Sequence, residues 1–468
     1  MRWWLGALVL LALSLVLRLE YVVYAVYVFL GVLGVSWHAA RRWTGWLAAA
    51  RRCSMVAGEI GDRATVTVAL RNAGRGRIPW LLLEESLPRA TLQEDPPRLR
   101  TTARPVEVAS LRAGEARVIR YEVEFLKRGY YTFGPVLAES GDLFGLHRRY
   151  RIVSEPCHVL VRPRVVPLTG YDLASRRPVG EVRIRHRLFE DPTRIAGVRP
   201  YEKGDPLNRI HWRATARTGA LHSKVCEPSC VAGATLVLDF HRASFPGRRA
   251  ADAQAELARR LKAAGLEDRV PDPHAPDTAW VELAVTTIAS IASALAELGE
   301  KVGLVTNGRD AAERVRTEGW AGEFRTRTVA RRKLLRPGVN DRLQPVVIGT
   351  RRDPSPLPEI LDTLGRLELT DGLPMSELLA EAAGHLPRDA TLAVVLARVD
   401  EAAALALGRM RRRGFAVSVI LVDPAEPGLH DWAGAPDWAA RLMAEGLEFR
   451  LVRDEADLAH LCAEHFVR

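Results

Sequence analysis

A chain of 468 residues and 51.8 kDa exceeds one ordinary domain and calls for two or three. Hydrophobic residues at 48% and charged residues at 26% match globular averages and exclude wholesale disorder, while a mean hydropathy of -0.05 excludes a polytopic transporter but not a short membrane anchor. The net charge of +11 invites a nucleic-acid reading. However, only six of the 67 basic residues are Lys, and the Arg is scattered along an Ala-rich chain. That is the coding bias of a GC-rich genome, and no specific nucleic-acid partner is expected. The five Cys are unevenly placed and predict no disulfide framework.

The N-terminus is a region apart. Trp3 to Leu17 is apolar except for Ser14, Arg18-Leu19-Glu20 interrupts, and Tyr21 to Trp37 is apolar again. Each run falls just short of the roughly 20 residues that span a bilayer. Trp3, Trp4, Tyr21, Tyr24, Trp37, Trp43 and Trp46 lie where interfacial aromatic belts form. The pattern predicts a transmembrane helical hairpin over residues 1–42, in contact with membrane lipid. A secretory signal and a buried pair of core helices are the alternatives. An n-region holding only Arg2, with a second apolar run following at once, speaks against the signal. Arg41, Arg42, Arg51 and Arg52 follow the second run, so the positive-inside rule puts that end, and with it both ends of the hairpin, in the cytoplasm.

Residues 54–167 change texture. Ala64 to Leu70 and Arg117 to Phe125 alternate apolar with polar, and Tyr130–Phe133, Tyr150–Val153 and His158–Val161 continue the series of short strands. Turn signals recur every ten residues or so, which predicts an all-β, immunoglobulin-like sandwich. From 234 to 468 the period switches. Continuous apolar strands (Thr235–Phe240, Lys301–Thr306, Thr391–Leu396, Phe415–Leu421, Leu447–Val452) alternate with helices at Thr278–Leu298 and near 375–386, 400–413, 435–445 and 455–464. Such alternation predicts an α/β domain with a doubly wound parallel sheet covered on both faces. Segment 241–277, rich in charge, Ala and Pro, is expected to be an insertion with one short helix.

Between the two, residues 168–233 hold a distinctive run: Arg199, Tyr201, Gly204-Asp205, Arg209, Trp212, Arg213, Arg217 and Gly219. It predicts a capped helix, with Asp205 at the N-cap, Pro206 at the first helical position and Gly219 left-handed after the end. Arg209, Arg213 and Arg217 would line one face, while Ile210, Trp212 and Ala216 pack it down. The stripe is either a docking site for an anion or acidic partner, or a set of ion pairs cementing a domain interface.

These residues resemble the signature of the bacterial domain-of-unknown-function 58 family. Lys127-Arg128-Gly129-Tyr130, Gly134-Pro135, Asp142-Leu143-Phe144-Gly145 and Val161-Arg162-Pro163-Arg164 are similar to that family's upstream motifs. The resemblance implies a membrane hairpin, a β-sandwich, the signature segment and a von Willebrand factor A-like α/β domain, in that order. It also implies a MoxR-type AAA+ ATPase as partner, in membrane-linked assembly, maturation or stress roles. No catalytic residues come with the family.

Von Willebrand A domains often bind a divalent metal through a DxSxS loop, a Thr and a later Asp. In this chain Asp239 opens the loop, but His241 and Ala243 replace the two Ser. Leu373 stands where Thr is expected, and Ala397-Arg398 where an acid is expected. Only Asp239 is retained, so no metal or other cofactor is expected. Cys226, Cys230 and His222 are too few for zinc, and a Cys/His nucleophile using His211 or His222 lacks a third partner. No phosphate-binding loop is present, so the chain is not itself an ATPase. The leading expectation is a non-enzymatic adaptor at the bacterial inner membrane, its soluble domains facing the cytoplasm. The alternative is an exported adhesion or surface-binding protein.

Overall fold

The computed structural model describes residues 20–88, 96–143, 147–168, 190–201, 210–228, 233–245, 277–318, 344–353, 355–387, 390–424, 437–447 and 449–461, together with 6, 9, 12, 13, 16, 17, 91, 92, 94 and 145. They fall into two compact units, one built chiefly from the chain up to Arg162 and the other from most of the rest.

The first unit opens with α1 (Glu20–Gly45), apolar and long enough to cross a membrane and mostly exposed. It runs past residue 42, the expected end of the hairpin. The other expected span, Trp3–Leu17, lies largely outside the described residues. Strand β1 (Leu47–Cys53) follows after one residue, ahead of the expected sandwich start at residue 54. Then come β2 (Ala57–Gly58), β3 (Arg63–Asn72), β4 (Ile78–Glu85), β5 (Leu99–Thr101), β6 (Val106–Leu111), β7 (Ala116–Phe125), β8 (Gly129–Phe133), β9 (Val136–Gly141), β10 (Arg148–Ile152) and β11 (Cys157–Val161). Two four-stranded antiparallel sheets, ordered β1-β3-β7-β5 and β10-β9-β4-β6, share one core with a three-stranded sheet β2-β11-β8. In β3 the residues Val66, Val68 and Leu70 point inward while Thr65, Thr67 and Ala69 do not, the period-2 pattern of a half-buried strand. By contrast, β9 is buried at every position, so its sequence carries no alternation. This is a β-sandwich, and Cys53 and Cys157 join β1 to β11 as a disulfide where none was expected.

In the second unit, β12 (Glu190–Pro200) and β13 (His222–Pro228) form an antiparallel ribbon, with the short helix α2 (Trp212–Thr218) between them. A six-stranded sheet follows, made of β14 (Ala234–Leu238), β15 (Val302–Thr306), β17 (Val346–Arg351), β19 (Thr391–Leu396), β20 (Val417–Val422) and β21 (Phe449–Val452). A small antiparallel pair, β16 (Arg309–Asp310) with β18 (Leu367–Glu368), lies outside it. The helices are α3 (Thr278–Glu297), α4 (Ala311–Glu318), which from Ala312 on belongs to the first unit, α5 (Pro356–Arg366), α6 (Met375–Ala382), α7 (Glu401–Arg412), α8 (Asp437–Ala444) and α9 (Glu455–Ala459). Spatial order is β17-β15-β14-β19-β20-β21, a doubly wound arrangement. The sheet is not wholly parallel, because the edge strand β17 runs antiparallel to β15. Leu236 and Leu238 face a core built with α3 and α5, while Val237 faces a second core built with α6 and α7. Burial on both faces is why these strands are continuously apolar. The same logic identifies α3, which is apolar enough to span a membrane, as a core helix: two thirds of its most apolar stretch is buried. Asp277 caps its start by accepting from Ala279 N, and Gly299 ends it at φ 69°.

Candidate functional site

Two places in the second unit hold the residues singled out by sequence. The first is the carboxyl end of the six-stranded sheet. Asp239 lies just beyond β14, between β15 and β19, where strand order reverses and open α/β sheets bind ligands. Its side chain is 2% exposed. Oδ1 accepts from His241 N at 3.1 Å and from Asn307 Nδ2 at 2.9 Å, and Oδ2 accepts from Ser244 Oγ at 2.6 Å. Asn307, just after β15, also donates to Leu373 O at 2.8 Å and accepts from Phe240 N at 2.6 Å. One amide thus ties together the loops that follow β14 and β15 and the turn before α6. Burial pushes the Asp239 carboxyl above the usual carboxylate range, opposed by the hydrogen bonds from Ser244, Asn307 and His241.

The donor set does not suit a divalent cation. Hard cations need several converging oxygens. Around Asp239 the chain turns two N–H donors and the Ser244 hydroxyl onto the carboxylate instead, and His241 Nδ1 accepts from Ala243 N at 3.3 Å to cap a 3-10 turn over Arg242–Ser244. Leu373 is buried in the core, and Asp371 is drawn outward to Arg242 at 3.0 Å. Among the described residues, no three His, Cys, Asp or Glu gather as metal ligands. Sequence reasoning found Asp239 but missed its partners. Ser244 stands one position beyond the last Ser of the DxSxS spacing, and Asn307 follows the second strand in a Thr306-Asn307-Gly308 turn.

The second place is the ribbon and its helix. The expected unbroken helix up to Gly219 is interrupted at Ile210 and His211, while its start at Asp205 and Pro206 lies outside the described residues. Ile210 is buried in a bridge to Ser223, His211 is the N-cap, and the helix begins at Trp212. His211 Nδ1 accepts from Ala214 N at 3.0 Å, while Gly219 closes the helix at φ 73° as its position predicts. Gly204, Asp205 and Arg209 lie outside the described residues, so the three-Arg stripe reduces to Arg213 and Arg217, one turn apart and both exposed. Trp212 does not pack the helix down; it is 68% exposed. Arg199 and Tyr201 lie at the end of β12, where Tyr201 N donates to Leu221 O at 2.9 Å. The helix is held instead by His222, whose N–H donates to Thr215 Oγ1 at 3.1 Å. Because its Nδ1 lies 2.8 Å from Ala220 O and 3.1 Å from Thr218 Oγ1, His222 serves the turn rather than a nucleophile. Cys226 belongs to β13, and Cys230 lies outside the described residues.

The upstream motifs have structural work in the sandwich. Asp142, buried, accepts from His147 N at 2.5 Å and closes the turn between β9 and β10. Gly134 sits at φ 87° with the Arg51 guanidinium where a Cβ would stand, so this position requires glycine twice over. A small cleft of about 110 Å³ lies between residues 165–168 and α3, where Ser290 Oγ accepts from Val166 N and donates to Thr286 O, and Ser293 Oγ donates to Glu297 Oε1 at 3.3 Å.

No family model matches the chain. It is 25% identical over 182 residues to the uncharacterized protein YeaD of Bacillus subtilis (strain 168), an alignment covering 38% of this chain and 44% of that protein. Solved structures similar to a quarter of the chain include the CARDB domain of PF1109 from Pyrococcus furiosus (14% identity, 91% of that chain, TM-score 0.17). The native conformation of E. coli alpha-2-macroglobulin also matches (18% identity, 7% of that chain, TM-score 0.18). Scores this low carry no argument about fold or function.

Proposed function

We propose that this chain is a membrane-anchored, non-enzymatic adaptor of the domain-of-unknown-function 58 family, working with a MoxR-type AAA+ ATPase in assembly, maturation or stress response. In this reading its α/β unit is von Willebrand factor A-like. The observation that supports it most is the end of the six-stranded sheet. Its strands follow the order 3-2-1-4-5-6 with an antiparallel third strand, and the Asp239 carboxylate beyond the first accepts three hydrogen bonds, from His241 N, Ser244 Oγ and Asn307 Nδ2. A switch-point loop so arranged suits recognition of a partner by shape and charge rather than turnover. The exposed Trp212, Arg213 and Arg217 add a second recognition surface. Affinity capture of the full chain from solubilised membranes, followed by mass spectrometry, tests the reading. An AAA+ ATPase should be the main partner recovered, and its absence sinks the proposal.

One observation favours a second reading, in which the domains face outward as an exported adhesion or surface-binding protein. Cys53 and Cys157 are disulfide-bonded, and disulfides persist mainly in oxidising compartments. Against it stand Arg41 and Arg42, which the positive-inside rule retains in the cytoplasm. Protease protection in inverted and right-side-out vesicles separates the two: cleavage of the sandwich only in inverted vesicles supports the adaptor, and only in right-side-out vesicles the exported protein.

A further inference from the structure

We propose that the junction of α1 with the sandwich is a binding site for the headgroups of anionic phospholipids, built by two segments about a hundred residues apart in sequence. The inference rests on reading α1 as a membrane span. At 1.5 Å per residue, the roughly 30 Å hydrocarbon layer takes up about 20 residues. A span starting at Glu20 therefore leaves the hydrocarbon just beyond Trp37, where indoles prefer to lie, and carries Arg41 and Arg42 into the headgroup layer.

The sandwich brings further guanidinium groups to the same level. Arg149, from β10, lies 6.0 Å from the Trp37 ring centroid, and Arg41 lies 5.5 Å from it. Arg151 reaches back to the end of α1, donating from Nη1 to Gly45 O at 3.3 Å. There a cation also complements the helix dipole. Only Trp46 separates α1 from β1, and α1 itself packs against β9 and β10, which holds that edge beside the helix. Arg148, next along β10, is exposed and 3.8 Å from the buried Glu139. Arg41, Arg42 and Arg149 have no carboxylate partner among the described residues, and the sequence holds no acid between Glu20 and Glu59. Two guanidinium groups at the Trp37 indole, with Arg42 5.9 Å from the neighbouring Trp46 ring and none of the three paired with a carboxylate among the described residues, match a lipid phosphodiester at headgroup depth, which Arg meets with two parallel hydrogen bonds. An anionic leaflet adds long-range attraction that a zwitterionic one lacks.

The test titrates phosphatidylglycerol, phosphatidylcholine or inorganic phosphate into the detergent-solubilised full chain and follows its melting temperature. Phosphatidylglycerol should raise it with saturation, while the other two should not. The double variant Arg41→Gln/Arg149→Gln should melt normally without lipid and lose about fivefold in apparent affinity for each guanidinium removed, whereas Arg149→Lys, which keeps the charge without the bidentate fork, should lose less than Arg149→Gln. Equal response to phosphatidylcholine, a matching response to phosphate alone, or an unchanged affinity in the double variant overturns the site. Carbonate washing of membranes separates the two failures. A chain stripped by carbonate refutes the span and with it the site, whereas a chain that stays but ignores lipid charge refutes the site alone.

Discussion

Arg51 sends both Nη atoms to the carboxylate of Glu85, at 2.6 and 2.8 Å, linking β1 in one four-stranded sheet to β4 in the other. The two side chains are only 3% and 9% exposed. Tyr121 Oη donates to the same carboxylate at 2.9 Å, and Arg51 Nη2 donates to Ser154 Oγ at 3.4 Å. Burial pushes Glu85 upward and Arg51 draws it back, so the cluster is a compromise between desolvation and pairing. Arg51, counted by sequence among the charges that orient the membrane segment, is thus a core residue of the sandwich.

Removing one member of this pair leaves a buried charge uncompensated. Arg51→Met should therefore cost about 3–5 kcal/mol, and Arg51→Met/Glu85→Leu should recover most of that loss. Chemical denaturation of the solubilised chain, read by hydrogen exchange in β3 and β7, checks it. Additive losses in the double variant would show that the pair is not coupled.

The Asp239 cluster should distinguish an amide from a methyl group. Asp239→Asn keeps an oxygen for His241 N and Asn307 while removing a desolvated charge, so it should leave stability at neutral pH unchanged or raised. Asp239→Ala orphans buried donors and should cost about 1–3 kcal/mol. The folded carboxyl titrates above its ordinary 3.8, so the folded chain holds a proton that the unfolded chain has released in the window from 3.8 up to the folded value. Its contribution to stability therefore falls as pH rises through that window. Asp239→Asn should flatten this part of the melting-temperature profile, and an undiminished slope would assign the effect elsewhere.

Metal should make no difference to the same region. Calorimetric titration with Mg²⁺, Mn²⁺ and Ca²⁺ should give no submillimolar binding, and EDTA should leave the melting temperature where it was. Binding that vanishes in Asp239→Ala would show that oxygens beyond the described residues complete a site.

At the ribbon, cap and surface should separate cleanly. His211→Ala should cost about 1 kcal/mol through the lost cap. Arg213→Glu/Arg217→Glu, on an exposed face, should change stability by less than about 0.5 kcal/mol while abolishing capture of the proposed AAA+ ATPase partner. A sharp fall in melting temperature would instead make these Arg structural, and unchanged capture would remove them from the docking surface.

The half-buried strands were the easiest to read. β3 and β7 alternate because one face meets the core, and the alternation is written in the residues themselves. β1, β2, β4, β5, β6 and β9 are not among the expected strands: Leu47-Ala-Ala-Ala-Arg51 has small residues and a charge where an apolar face is expected, β2 and β5 are only two and three residues long, and β9 is buried throughout. The unbroken helix up to Gly219 failed for a different reason. Cap and stop signals are local, but Ile210 finds a bridge partner in Ser223, and that pairing takes it out of the helix, which has its N-cap at His211.

What the sequence determined by itself was whatever depends on near neighbours along the chain. The apolar stretch of α1 is set by side-chain transfer to a nonpolar phase, the α/β alternation by period, and the left-handed ends at Gly219 and Gly299 by the absence of a Cβ. Tertiary structure alone decided which distant groups meet. Arg51 with Glu85, Asn307 with Asp239, and Arg149 with Trp37 are 34, 68 and 112 residues apart. None of these distances is visible as a spacing, because no local period relates residues on different strands. Charge, too, changes meaning once buried: in water Arg51 and Asp239 are ordinary ions, but in the core each is held by the hydrogen bonds the fold supplies, since desolvation makes an unpaired charge too costly to keep.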